Sequence, residues 1–184
     1  VGTIIHTGDW KFDFQPVDKH PAELGRLAQL GNDGILAVMG DSTNASHEGH
    51  QISEHVIGKT LEDIFLKTKG RIIIGTFASL LSRVQQVLEL AEQTGRKVAI
   101  DGYSMKTNVE IMRELKYMDV PKEILIGIDE VDDYPKEQII IMGTGAQGET
   151  NAVLNRIATN EHRHVRIIPG DTVIFSSSVI PGNE

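Results

Sequence analysis

The feature that most constrains the fold is a series of short apolar runs separated by longer segments of helical periodicity. Runs such as RIIIG and QIIIMG are apolar at consecutive positions rather than at every second one. Such runs are typical of strands covered on both faces, as in a parallel sheet between layers of helices. Seven strands are predicted, at Thr3–His6, Gly34–Met39, Arg71–Gly75, Lys97–Ile100, Ile124–Ile126, Gln138–Met142 and Thr172–Ser176.

Amphipathic helices are predicted between these strands. Val84, Val87, Leu88 and Ala91 stand at i, i+3, i+4 and i+7, and Gly95 follows as a stop signal. Three further stripes are Ile57, Leu61 and Ile64; Ile111, Leu115 and Met118; and Val153, Leu154 and Ile157 in a helix from Thr150 to Thr159. The alternation predicts an α/β fold with a layered, mostly parallel sheet and helices on both faces. The acidic segment 128–138 is predicted to be an exposed linker.

Composition restricts the class of protein. A chain of 184 residues, 40% of them hydrophobic, can bury one sizeable core, so one domain with at most a fragment of another is expected. The lack of cysteine excludes disulfides and thiolate metal ligands and favours a reducing compartment. With no apolar run of roughly 18 residues, a cytoplasmic protein without membrane contact is predicted. The formal net charge of −8 counts modestly against nucleic-acid binding.

Polar residues follow nearly every predicted strand. The exits read HTGDW, GDSTNA, GTFASLLSR, DGYS, GTGAQGE and SSSVIPG. In parallel α/β folds the working residues lie just beyond the carboxyl ends of the strands. One edge of the sheet is therefore expected to be rich in glycine, hydroxyl groups and carboxylates.

The segment Gly143–Gly148 matches the G-x-G-x-x-G pattern and is predicted to follow a strand and to open a helix. This context is the one that a dinucleotide fingerprint requires, although no strand ending in an acid follows about 20 residues on. Free backbone amides at the start of a helix can also bind the phosphate group of a ligand that is not a dinucleotide. A tight turn with Glu149 at the helix dipole is the third interpretation.

The histidines do not form a recognisable metal motif. His47, His50 and His55 follow the GDSTNA exit, but no carboxylate stands at a known metal-site spacing from them. The chain contains neither H-x-H-x-D-H nor H-E-x-x-H. These three histidines are interpreted as surface or helix-start residues, so no complete metal site is predicted from the residues alone.

Two further groups of residues are candidates for polar contacts. Ser79 or Ser82 is expected to cap the helix that begins near RVQQ, while Arg83 is either a surface residue or reaches outwards to a ligand. The run Ser176–Ser178 is interpreted either as a group of hydroxyls that bind phosphate oxygens or as a solvated strand end.

Taken in order, the motifs HTGDWKFD, GDSTNA, TFAS…RVQQV, GTGAQGE and PGDTVIFSSSVIPGNE resemble those of ribonuclease J. This family belongs to the β-CASP branch of the metallo-β-lactamase superfamily, and the likeness runs from one end of the chain to the other. Two departures are mild. Leu80–Ser82 stands where a more polar, asparagine-containing stretch is usual, and Ala146 stands in place of a serine.

The resemblance implies a dinuclear metal site, of zinc or manganese, to which this chain contributes one ligand. In the family the aspartate of HTGD bridges two catalytic metal ions, which makes Asp9 the candidate here. Asp41 matches an acidic residue that orients a downstream histidine. The family's histidine cluster and that downstream histidine are not in this sequence. Since Val1 is not an initiator methionine, the chain is expected to be a piece of a longer protein.

The resemblance also implies the domain organisation and the substrate. Residues 1–44 correspond to a segment of the metallo-β-lactamase domain, and residues 45–184 correspond to the β-CASP domain, which clamps single-stranded RNA. The polar strand exits would then lie near the RNA. Candidate RNA contacts are Ser79, Arg83, Gly145, Gln147, Ser177 and Ser178.

The expected parent is a cytoplasmic, metal-dependent ribonuclease with 5′-3′ exonuclease and endonuclease activity on single-stranded RNA, including rRNA processing. The resemblance is compatible with a homo-oligomer of the parent and does not fix its oligomeric state. The isolated chain is expected to be inactive because most metal ligands are missing. One alternative is an RNA- or nucleotide-binding module without catalysis. A second is a dinucleotide-binding oxidoreductase domain, which rests on Gly143–Gly148 alone.

Overall fold

The computed structural model describes residues 1–43, 45–118, 121–146, 148–149 and 151–177. The chain divides into two units, Val1–Thr60 and Leu61–Glu184. The strands are β1 (Thr3–His6), β2 (Ile35–Met39), β3 (Ile72–Gly75), β4 (Lys97–Ile100), β5 (Leu125–Ile126), β6 (Ile139–Gly143) and β7 (Thr172–Phe175). The helices are α1 (Leu24–Asn32), α2 (Glu54–Lys67), α3 (Leu81–Gln93), α4 (Tyr103–Glu114) and α5 (Val153–Ala158), with short 3-10 turns at Lys122–Ile124, Ile128–Glu130 and Lys136–Gln138. Within these residues, no helix is long and apolar enough to cross a membrane.

The first unit is built on a two-stranded parallel sheet. Strands β1 and β2 pair with Ile4 opposite Ala37 and His6 opposite Met39. Leu36 and Val38 of β2 are largely exposed, and none of the described residues of this unit is fully buried. Parallel sheets are normally covered on both faces, and two strands alone are marginally stable at best. This unit therefore has no packed hydrophobic core among its described residues.

The second unit contains a five-stranded sheet in the order β5-β4-β6-β3-β7. Every neighbouring pair in this sheet is parallel. The expected α/β fold with a parallel sheet is confirmed, and all seven predicted strands are present with ends shifted by at most one residue. The chain order differs from the spatial order because parallel neighbours require crossover connections.

Both faces of this sheet are covered, which explains the consecutive apolar residues. Ile72 and Ile74 point to one face, where they pack with Leu61 and Phe65 of α2 and with buried residues of α3 and α4. Ile73 points to the other face. Its neighbours there are Ile139, Ile141, Val131, Val165 and the apolar residues of α5. Alternate residues of each strand thus enter different cores, so every position must be apolar.

Four details of the predicted helices and linker differ from the structure. The buried face of α4 is formed by Met105 and Val109, whereas Ile111 and Leu115 are exposed, because the helix is rotated relative to the predicted stripe. Helix α5 has only six residues, and α1 was not predicted. The acidic segment 128–138 is not a free linker, because Val131 is fully buried in one of the two cores.

A buried ion pair joins the amino-terminal ends of β3 and β7. Arg71 donates through Nε to Asp171 Oδ1 at 3.0 Å and through Nη2 to Asp171 Oδ2 at 2.6 Å. Arg71 Nη2 also donates to the Arg166 carbonyl, and the Ile168 amide donates to Asp171 Oδ2 at 3.0 Å. Both side chains are almost fully buried, at 3% and 2% exposure. Because buried charges must be paired and hydrogen-bonded, this pair fixes how β3 and β7 begin.

Candidate functional site

The carboxyl ends of the central strands are tied together by backbone hydrogen bonds. The Thr76 amide donates to the Gly143 carbonyl at 3.1 Å, and the Ser176 amide donates to the Gly75 carbonyl at 2.8 Å. The Asp101 amide donates to the Met142 carbonyl at 2.8 Å. The exits of β3, β4, β6 and β7 therefore share one edge, as the sequence predicts for strands that are all parallel.

The glycine-rich loop after β6 packs closely against the segment that leads into α5. A Cβ atom on Gly143 would lie 2.6 Å from Val153 Cγ1, and one on Gly145 would lie 2.7 Å from Ala152 Cβ. Gly145 also has a φ of +108°, which residues with a side chain rarely adopt. Helix α5 begins at Val153 rather than directly after Gly148, so the loop does not open a helix as expected. This geometry favours the tight-turn interpretation, and Gln147 lies outside the described residues.

Arg83 is buried rather than reaching outwards. Its side chain in the first turn of α3 is 3% exposed. Its Nε donates to Gln86 Oε1 at 2.8 Å, and its Nη1 donates to Ser176 Oγ. The expectation of an outward arginine is therefore wrong, because the guanidinium stabilises the exit of β7. Helix α3 begins at Leu81, and its N-cap residue is Leu80, with no side-chain cap, so neither Ser79 nor Ser82 caps the helix.

The serines after β7 have different surroundings. Ser176 is buried, and its carbonyl accepts a hydrogen bond from Thr76 Oγ1 at 3.2 Å. Ser177 Oγ donates to the Ala146 carbonyl at 3.1 Å, which links this exit to the glycine-rich loop. Ser79 is exposed, and Ser178 lies outside the described residues. RNA contacts by these residues stay predictions.

In the first unit, the exits of β1 and β2 lie side by side because the two strands are parallel neighbours. The indole Nε1 of Trp10 donates to the Asp41 carbonyl at 3.0 Å. Asp41 Oδ1 accepts from the Thr43 hydroxyl at 2.6 Å and from the Thr43 amide at 2.9 Å, and these bonds lower the pKa of the Asp41 carboxyl. Asp9, the residue before Trp10, is exposed. Two carboxylates thus stand at adjacent strand exits.

Comparison with known proteins identifies the family. Residues 69–184 match the model of the ribonuclease J β-CASP domain. The chain belongs to the ribonuclease J family. It is 45% identical over its whole length to ribonuclease J of Helicobacter pylori (strain ATCC 700392 / 26695), and 45% identical to ribonuclease J of Thermus thermophilus. Ribonuclease J2 of Bacillus subtilis is 38% identical over the same 184 residues. The chain spans 27%, 32% and 33% of these relatives, respectively.

A ribonuclease J metal centre is not completed by the residues that the structure describes. Within them, no group of three histidine, aspartate or glutamate side chains is placed to hold a metal ion. Asp9 and Asp41 supply only two carboxylates, and the Asp41 carboxylate is engaged by Thr43. Two hard cations with overlapping coordination shells need more donors than this. The described part of the chain therefore does not fit a dinuclear site by itself.

Sequence reasoning missed one cluster in the β-CASP domain. Asp101, directly after β4, accepts from Lys106 Nζ through Oδ1 at 2.9 Å. His162 Nδ1 accepts from the His164 and Val165 amides, so its proton is on Nε2, which donates to Asp101 Oδ2 at 2.9 Å. The DGYS exit was a sequence signal for Asp101, but nothing local pairs it with a histidine 61 residues away.

The charge state of Asp101 follows from these contacts. Burial alone would raise the pKa of its carboxyl, but hydrogen bonds from His162, Lys106 and the Gly102 amide outweigh burial. Together they lower the pKa of Asp101 to about 2, from an ordinary value of 3.8. Asp101 is therefore an anion at all physiological pH values.

Proposed function

We propose that this chain is the RNA-binding part of a ribonuclease that hydrolyses the phosphodiester bonds of single-stranded RNA. The observation that carries the proposal is the shared carboxyl edge of the five-stranded sheet. There the exits of four parallel strands bring together hydroxyl groups, glycine amides and the Asp101 cluster. Membership of the ribonuclease J family supports RNA as the substrate of the parent protein.

We propose that the parent is metal-dependent, with zinc or manganese, and that Asp9 is one of several metal ligands. The remaining ligands belong to the part of the relatives that this chain does not span. Asp41 is proposed to orient a histidine of that part, a role that suits its position at the strand exit next to that of Asp9. Residues 1–44 are proposed to belong to the metallo-β-lactamase domain. Exonuclease and endonuclease activity, a cytoplasmic location and homo-oligomers of the parent stay predictions.

Metal titration by calorimetry, with zinc and with manganese separately, tests the assignment of Asp9. We expect binding with a stoichiometry well below two and no hydrolysis of RNA by the chain alone. Asp33→Asn, which removes another exposed carboxylate of the first unit, is the matched control for Asp9→Asn. Tight binding of two ions that Asp9→Asn abolishes and Asp33→Asn leaves intact would show that the chain holds a complete site, contrary to the proposal.

The second candidate is an RNA-binding module without catalysis. The incomplete set of metal ligands among the described residues favours it for the isolated chain. Because the net charge is −8, RNA binding is expected to be weak and to fall steeply with salt. An electrophoretic mobility shift with 5′-monophosphorylated single-stranded RNA at low salt measures it. Absence of a shift at every salt concentration would contradict RNA binding by this chain.

A further inference from the structure

The Asp101 cluster presents two cations at the carboxyl edge of the sheet. Lys106 Nζ lies 2.9 Å from Asp101 Oδ1, and Arg156 Nη2 lies 3.6 Å from Asp101 Oδ2. His162 is 2% exposed, and its Nδ1 accepts hydrogen bonds from two backbone amides. One carboxylate and two cations leave a net charge of +1. That charge matches a single phosphodiester group, which carries one negative charge.

The exposure of these side chains sets the direction from which an anion can approach. Asp101 and His162 are 15% and 2% exposed, whereas Lys106 and Arg156 are 47% and 40% exposed. An anion arriving from solvent therefore meets the two cations before the carboxylate. Asp101 holds both cations in place, so less side-chain entropy is lost when they bind an anion.

Arg156 has unused hydrogen-bonding capacity. Its Nε has no hydrogen-bond partner among the residues that the structure describes but is buried beyond the reach of a ligand, whereas the side chain as a whole is 40% exposed. Its contact with Asp101, at 3.6 Å, is longer than a good charge-assisted hydrogen bond. A guanidinium whose donors are only partly used is suited to a phosphate oxygen, which accepts such bonds in the same planar geometry.

An exposed aromatic ring lies beside these cations. Tyr103 is the first residue of α4 and is 87% exposed. Lys106 is three residues further along the same helix, so the two side chains are neighbours on its surface. An aromatic platform next to cations is the usual device for binding single-stranded nucleic acid, since the ring stacks on a base while the cations hold the backbone.

We propose that Tyr103, Lys106 and Arg156 form a binding site for one nucleotide of single-stranded RNA, with Asp101 as the positioning residue. The base stacks on Tyr103, and the phosphodiester group binds Lys106 and Arg156. This inference rests on the proposed RNA-binding function and adds to it a defined site, outside the residues predicted from the sequence. No chemistry is assigned to the site, because none of its groups is placed as a nucleophile for a phosphate.

Fluorescence anisotropy with a labelled single-stranded RNA at several salt concentrations tests the site on the whole chain. Lys106→Gln and Arg156→Gln are expected to weaken binding and each to reduce the slope of log affinity against log salt by about 0.7. Tyr103→Leu is expected to weaken binding at least about fivefold, the lower end of the effect of losing one stacked base. Arg156→Lys, which keeps the charge, should retain more affinity than Arg156→Gln.

Matched controls separate these effects from changes in overall charge or surface area. Lys67→Gln removes one charge from an exposed lysine, and Tyr117→Leu removes another exposed tyrosine. Neither control is expected to change affinity beyond a small effect of charge. With an abasic oligomer, the two glutamine variants should still bind more weakly than the unsubstituted chain, whereas Tyr103→Leu should bind with the same affinity as the unsubstituted chain.

The outcomes distinguish this inference from the proposed function. If the chain binds RNA but the variants at Tyr103, Lys106 and Arg156 lose no more affinity than the two controls, the nucleotide site is overturned and RNA binding by the chain stands. If Lys106→Gln and Arg156→Gln lose affinity for RNA but Tyr103→Leu does not, the base contact is overturned and the site is reduced to a phosphate contact. A chain that binds no single-stranded RNA at low salt would overturn both proposals.

Discussion

Replacement of Asp171 by alanine is expected to destabilise the second unit by about 3–5 kcal/mol. The substitution removes the acceptor of two Arg71 hydrogen bonds, at 3.0 and 2.6 Å, and of the bond from the Ile168 amide. Arg71 then stays 97% buried and still donates to the Arg166 carbonyl, but it has no counter-ion. An uncompensated buried charge is the reason for the large cost, which is a substantial part of a total stability of about 5–15 kcal/mol.

Urea unfolding followed by far-ultraviolet circular dichroism measures this cost, since most helices belong to the second unit. With a slope of about 2 kcal/mol per M, the midpoint should fall by about 1.5–2.5 M. Asp63→Ala is the matched control, because Asp63 pairs with Lys67 at 3.8 Å on the exposed surface of α2. That variant should lose no more than about 0.5 kcal/mol.

A double variant separates the charge from the packing. Arg71→Met combined with Asp171→Leu removes both charges together and replaces them with apolar side chains. It should recover most of the stability lost in Asp171→Ala, because no buried charge stays unpaired. If Asp171→Ala costs no more than Asp63→Ala, or if the double variant is the least stable of the three, the assigned role of the ion pair is wrong.

Three further predictions concern other parts of the chain. Since the pKa of Asp101 is depressed from 3.8 to about 2, the stability that this carboxylate contributes is present above about pH 4 and is lost as the pH falls towards 2. The full shift corresponds to about 2.4 kcal/mol, and screening by solvent reduces it to about 1–2 kcal/mol. Acid titration should show this loss in the unsubstituted chain and not in Asp101→Asn. Gly145→Ala should cost more stability in urea than Gly95→Ala, because both have positive φ but only the former places a Cβ atom against Ala152; equal costs would contradict the packing argument. Residues 1–60 alone should give the circular dichroism of an unfolded peptide, because none of those described is fully buried; a cooperative unfolding transition would contradict this.

The polar exits of the strands in each unit were predictable, but the roles of their residues were only partly so. Asp9 and Asp41 in the first unit and the glycine-rich loop in the second unit lie within three residues of a strand end, and strand ends can be read from local apolar runs. Arg83 was expected at the surface, yet it is buried against Ser176, which is 93 residues away. The partners of a polar side chain depend on which strands become neighbours. Local periodicity carries no such information.

The sequence by itself determined the strands, their parallel arrangement and the need for two cores, because runs such as Ile72–Ile74 leave no polar face for water. Motif order also determined the family. Only the tertiary structure decided the strand order β5-β4-β6-β3-β7, which face of α4 is buried, and that Asp101 meets His162 and Arg156. The physical reason is range: backbone periodicity acts over a few residues, whereas pairing of buried charges and packing of helix faces join segments far apart in the chain.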